Sequence, residues 1–142
     1  MLTPSPSVAR AVAVMILLCF AAEHLVLLPD GFRAVSYVGV GEIGLLLAVL
    51  VAAALLVGTD AVGVWWYTAL IGLVHVAGYF ETRLLGLPLY RREIGHWLEP
   101  RDLLSVFAGA VLLALSSWVL LARAQAPQRF APGERFATLN RS

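Results

Sequence analysis

The chain has 142 residues, of which 61% are hydrophobic and only 13% charged, with a formal net charge of +1 and a mean hydropathy of +0.86. A soluble domain of this length has too little interior to hide so much apolar surface, so a lipid bilayer is its natural solvent. The near-neutral charge, with no basic run interleaved with aromatics, argues against a nucleic-acid partner.

Four apolar segments are expected to form spans, at about 9–28, 37–58, 61–80 and 103–122. At ~1.5 Å per helical residue each matches the ~30 Å hydrocarbon core. All seven prolines lie outside these segments, where they mark helix ends and connections. The expected fold is an all-α transmembrane four-helix bundle, multi-pass in a cell (inner or plasma) membrane.

Residues 1–8 read as a disordered Pro/Ser-rich start. Read as a signal peptide, the first segment has an n-region with one positive charge, Arg10, and no A-x-A site after its apolar run, so it is expected to be retained rather than cleaved. Its lone Cys19 rules out a disulfide framework and reads as a small buried hydrophobe. The segment closes on Glu23 and His24, and Pro29-Asp30-Gly31 has the composition of a turn.

Glu42 opens the second segment, where Gly41, Gly44, Ala48 and Ala52 recur at three, four and four residues. Small residues at that spacing let helices approach closely in lipid, within the bundle or against a homo-oligomer or membrane-complex partner. Gly58-Thr59-Asp60 is a short turn that makes the second and third segments antiparallel neighbours.

Trp65, Trp66 and Tyr67 open the third segment and read as interface anchors rather than as a binding cage. Thr68, Gly72, His75 and Tyr79 then share one helical face. The connection 81–102 is long for a compact bundle and carries Glu93, His96 and Glu99. Pro100 and Asp102 suit the first turn of the fourth helix, which shows a small and polar face of Ser105, Gly109, Leu112 and Ser116. Beyond Arg123 the tail is polar and is expected to be loose.

All ten basic residues are arginine, which together with the Ala, Leu and Val excess points to a high-GC bacterial genome. Arginines divide evenly between the side of the termini and the opposite side, so the positive-inside rule is nearly silent. The higher net charge on the terminal side leads to an expectation of cytoplasmic termini.

The three histidines and most of the acids gather at the other side. Glu23 and His24, Glu42 and His75 each lie about five residues inside their helix end, a shared layer about 7 Å below the interface. Charge at that depth is costly and is often functional. Imidazole and carboxylate together are ligands for a transition metal, with Glu23, His24, Glu42, His75, Glu93 and His96 as candidates. Glu93 and His96 add a Glu-x-x-His spacing, common by chance, on a connection placed to cover the layer. His24 and His75, at equal depth, are also candidate axial ligands of a haem. The plainer alternative is structural: the acids pair with Arg33 or Arg83 and the histidines bond a neighbouring helix. Adjacent helical residues diverge by ~100°, so only one of Glu23 and His24 is expected to face the layer.

The segment Thr82-Arg83-Leu84-Leu85-Gly86-Leu87-Pro88, the segment Trp97-Leu98-Glu99-Pro100, and Glu23-His24-Leu25 resemble an uncharacterised family of small four-span bacterial membrane proteins of high-GC, actinobacterial type. That family shows an R-T-x-G-L-P segment after its third span and W-x-E-P before its fourth; here Thr precedes Arg. The resemblance spans about 9–122 and implies fold and location, with no catalytic role to transfer.

No nucleophile elbow, Walker motif, CxxC or HExxH is present. Three functions stay open at this point. They are a metal- or haem-binding membrane protein, an accessory or assembly subunit with structural polar pairs, and a small proton-coupled membrane enzyme or carrier.

Overall fold

A computed structural model of the chain describes residues 5–88, 94–95 and 97–125. Four helices follow one another: α1 (Pro6–Ala34), α2 (Ser36–Gly58), α3 (Val62–Leu84) and α4 (Pro100–Gln125). All four are long and apolar enough to cross a membrane. The chain is thus an all-α, multi-pass membrane protein built as a four-helix bundle.

The helix ends follow from local chemistry. Ser5 caps α1 by accepting the Val8 N–H, and Pro6 takes the first helical position, where its missing N–H costs nothing. Gly86 ends α3 at φ 70°, a left-handed conformation that glycine adopts freely, and its N–H returns to the Glu81 carbonyl at 3.1 Å.

The turn expected at Pro29-Asp30-Gly31 does not form. α1 runs through Pro29 to Ala34, and only Val35 separates it from α2. Proline removes one backbone bond, but here it lies near the end of the helix, where Pro29, Asp30 and Phe32 are exposed. Gly31 is kept small because a Cβ there would stand 3.2 Å from the Gly39 backbone of α2.

Packing is most extensive within two hairpins, α1 with α2 and α3 with α4. The second hairpin closes on a glycine contact: a Cβ on Gly72 would meet the Gly109 carbonyl oxygen at 2.8 Å. Leu17, Phe20, Val49, Leu56, Trp65 and Leu112 form the centre of the core. Large apolar side chains such as Met15, Leu47, Leu104 and Leu121 face outward, as lipid contact allows.

Three sequence expectations change here. Cys19, expected to be buried, is exposed. Trp65 is not an interface anchor but a fully buried core residue, while Trp66 faces outward at 63% exposure. The small-residue stripe on α2 is divided: Ala52 is buried, whereas a Cβ on Gly41 or Gly44 would meet nothing within 4 Å.

At the terminal side, arginines cap the turn between α2 and α3. Arg10 donates to the Leu56 carbonyl at 2.7 Å and to the Val57 carbonyl at 2.6 Å, satisfying the unpaired end of α2. The Asp60 carboxylate accepts from the Trp65 indole at 2.8 Å and pairs with Arg123 at 2.5 Å. The Trp65 hydrogen bond first, and Arg123 second, hold the Asp60 carboxyl below its ordinary range.

Candidate functional site

At the opposite side, three helices bring one polar group each into a hydrogen-bonded row. His24 comes from α1 and is buried, at 6% exposure. Its Nδ1 lies 2.6 Å from Oε2 of Glu42 on α2, and its Nε2 lies 3.1 Å from Nε2 of His75 on α3. The Nδ1 of His75 donates to the Ile71 carbonyl one turn back, at 2.8 Å. The result is a continuous chain, Glu42–His24–His75–Ile71.

Donor and acceptor rules fix its proton content. A carbonyl only accepts, so Nδ1 of His75 carries a proton. Each of the two remaining links needs one shared proton, between the two Nε2 atoms and between His24 and Glu42. Three protons on one carboxylate and two imidazoles make the set neutral as a whole. A proton can sit on Glu42, His24 or His75 without changing that charge, provided its neighbours adjust along the same hydrogen bonds.

Packing holds the chain in place. The Phe20 ring stacks on His75 with centroids 3.8 Å apart and 14° between planes. A Cβ added to Gly31 would lie 3.3 Å from Cγ of Glu42, so that glycine makes room for the carboxylate. Glu42 lines a cavity of about 550 Å³ that it shares with Arg83, Glu99, Arg101 and Asp102.

Glu23 diverges from His24, as the helical angle requires, and turns toward Ser105, Arg101 and Asp102 on α4. It does not join the chain. The expected partners of the arginines also differ: Arg33 bonds Asp30 at 3.1 Å, and the buried Arg83 pairs with Asp102. Arg83 also lies 4.6 Å over the Tyr79 ring.

Two tyrosines, Tyr37, which sequence reasoning left aside, and Tyr79, which it placed only on the His75 face, tie the 81–102 connection to the bundle. The Tyr37 hydroxyl donates to the Pro88 carbonyl, and that of Tyr79 to the Trp97 carbonyl at 2.6 Å. Each stands near a helix end facing the connection. Glu93 and His96, the candidate metal ligands of that connection, lie outside the described residues.

Among the described residues, no three His, Cys, Asp or Glu side chains converge on one point as a metal cluster. The reason is visible in the chain itself, since Glu42 meets the far nitrogen of His24 rather than the side that faces His75. The haem reading of His24 and His75 does not fit. Axial nitrogens on opposite faces of an iron stand about 4 Å apart, twice a metal–nitrogen bond of about 2 Å. Here they are in direct hydrogen-bond contact, and Phe20 covers the His75 ring.

Comparison of the chain with protein-family models, with curated proteins and with solved structures finds no match.

Proposed function

We propose that this membrane protein is a proton-coupled carrier or small membrane enzyme, in which the Glu42–His24–His75 chain relays a proton. The observation that carries this reading is the unbroken chain itself, whose links are 2.6 and 3.1 Å long and whose outer end, Glu42, lines the cavity. A ligand in that cavity would exchange a proton with the Glu42 carboxylate. His24 and His75 would take up or return it within the bundle without leaving a net charge in low dielectric, where an isolated charge is costly. Imidazole suits this role because it accepts on one nitrogen while it donates from the other.

The test is proton movement in reconstituted vesicles. The full chain is placed in liposomes holding an entrapped pH-sensitive dye, under a potassium diffusion potential set with valinomycin. The expected result is a proton flux above that of protein-free liposomes, lowered at least about tenfold by Glu42→Gln, within the range typical of acid–base groups. Equal flux in the parent chain and in Glu42→Gln would overturn the reading.

A further inference from the structure

We infer that the cavity between the two hairpins binds a small zwitterion, a ligand that carries an ammonium and a carboxylate or phosphate on one short chain. The binding site rests on the cavity's own groups. That its occupant is also what exchanges protons with Glu42 rests on the relay proposed above.

All four helices contribute to the wall. The end of α1 supplies Asp30 and Arg33, the start of α2 Glu42, the end of α3 Arg83, and the start of α4 Arg101 and Asp102. Most of these charges are already engaged. Asp30 pairs with Arg33 and Asp102 with Arg83, and Glu99 has an interaction of its own. Two groups are left, one of each sign. Glu42 gives Oε2 to His24, while its Oε1 accepts no hydrogen bond among the described residues. A carboxylate has room for about four such bonds. Arg101 feels the charge of Glu23 but makes no hydrogen bond or ion pair among the described residues.

Glu42 and Arg101 belong to opposite hairpins and line the same cavity without pairing with each other. An ammonium fits Glu42 as a donor, and the guanidinium fork of Arg101 fits a carboxylate or phosphate. A ligand with only one of these charges would satisfy one group and bring an unbalanced charge to a wall whose other charges are engaged, which is costly away from bulk water. The volume, about 550 Å³, suits a small molecule. Leu27, Val38 and Leu87 give its carbon chain an apolar surface. Glu42 lies about 9 Å into α2, at ~1.5 Å per residue, so the cavity reaches from the helix ends down to the proton chain. Two sources offer this chemistry at a membrane face, a free amino acid in the water and the headgroup of phosphatidylethanolamine.

The experiment is calorimetric titration of the purified full chain in detergent, with β-alanine and dihexanoyl phosphatidylethanolamine as probes. Propionate and ethylamine, which each keep one charge of β-alanine, and dihexanoyl phosphatidylglycerol, which keeps the phosphate alone, are the comparisons. At least one zwitterion is expected to bind saturably, one per chain, at least about tenfold tighter than its single-charge comparisons, as loss of a charge-assisted bond implies. These comparisons use the parent chain and are independent of any folding defect. Arg101→Gln, at an exposed position, is expected to weaken binding about tenfold. Binding of β-alanine alone assigns the free amino acid, and binding of the lipid alone assigns the headgroup. Absence of saturable binding by either zwitterion, equal affinity for a single-charge comparison, or unchanged affinity in Arg101→Gln would overturn the inference. Zwitterion binding in a chain whose proton flux does not depend on Glu42 would remove the relay and leave the site standing. Flux that depends on Glu42 without zwitterion binding would do the reverse.

Discussion

Gly109 of α4 stands directly behind His75 of α3: a methyl group at position 109 would lie 2.9 Å from the Cβ of His75. The helix crossing that closes the second hairpin therefore also sets the depth to which His75 reaches toward His24. Gly109→Ala is expected to push the two helices apart and lengthen the His24–His75 link. The expected cost is about 1–3 kcal/mol, typical of overpacking. Denaturant unfolding in detergent measures the cost, and nitrogen-15 spectra of the two imidazoles report the link. Gly44→Ala serves as the contrast, because a Cβ there meets nothing within 4 Å and neither readout should move.

Glu42→Gln tests the proton count directly. An amide oxygen still accepts from Nδ1 of His24, but the side chain no longer carries the negative charge that balances the third proton. With the oxygen in that place, either the set becomes positive or the Nε2–Nε2 bond loses its proton; with the amide turned over, its NH2 donates to Nδ1 of His24, which then holds its one proton on Nε2. A buried polar group left without its bond costs about 1–3 kcal/mol. The expected outcome is a changed tautomer pattern for the histidines by nitrogen-15 spectroscopy, together with that loss of stability if the oxygen faces His24. An unchanged pattern would contradict the three-proton chain.

At the other side of the bundle, Asp60 gives a pH dependence of known sign. Its carboxyl is held below the ordinary range by the Trp65 indole and by Arg123, so the folded chain binds its proton less readily than the unfolded chain. The stability it contributes is complete above the unfolded carboxyl range, about pH 4, and is lost as pH falls through the lower folded value. Thermal unfolding followed from pH 6 downward should show this acid limb. Asp60→Asn should flatten it while lowering stability at neutral pH.

The pair between Arg83 and Asp102 joins the ends of α3 and α4, with the Arg83 side chain only 5% exposed. Asp102→Ala leaves a buried guanidinium without that carboxylate, and the expected cost is about 3 kcal/mol. Arg83→Lys is not a mild change either, because an ammonium cannot both pair with Asp102 and lie flat over Tyr79. Urea or thermal melts of both variants check the two expectations.

The four helices were legible because apolar length and helix punctuation are local signals. The shared level of His24, Glu42 and His75 was legible too, but not its distance from the helix ends, because α1 and α3 run on to Ala34 and Leu84. The wiring among the three was not. Whether His24 meets Glu42 through Nδ1 or Nε2 depends on how far α1 and α2 approach at Gly31 and Gly39, and no spacing rule contains that distance. Pro29 misled for a related reason, because a proline breaks a helix only where its lost bond cannot be spared. Trp65 misled because an aromatic cluster marks the interface only on average, and a nearby carboxylate, Asp60, is enough to draw one indole inward. The Arg10 cap on α2 had a faint signal in advance: a helix ending at Gly58 with no basic residue in its last turn leaves carbonyls for a cation elsewhere to reach.

His24 makes one of its bonds inside its own hairpin, to Glu42, and the other across to His75 in the second hairpin. The two halves of the bundle share less packing with each other than each has within itself. A displacement of one half against the other by about an ångström would carry the Nε2 atoms beyond hydrogen-bond range, which ends near 3.2 Å. Glu42 would stay joined to His24 throughout. Proton continuity in this molecule is thereby geared to the posture of its two halves, with the bond between the histidines acting as the clutch.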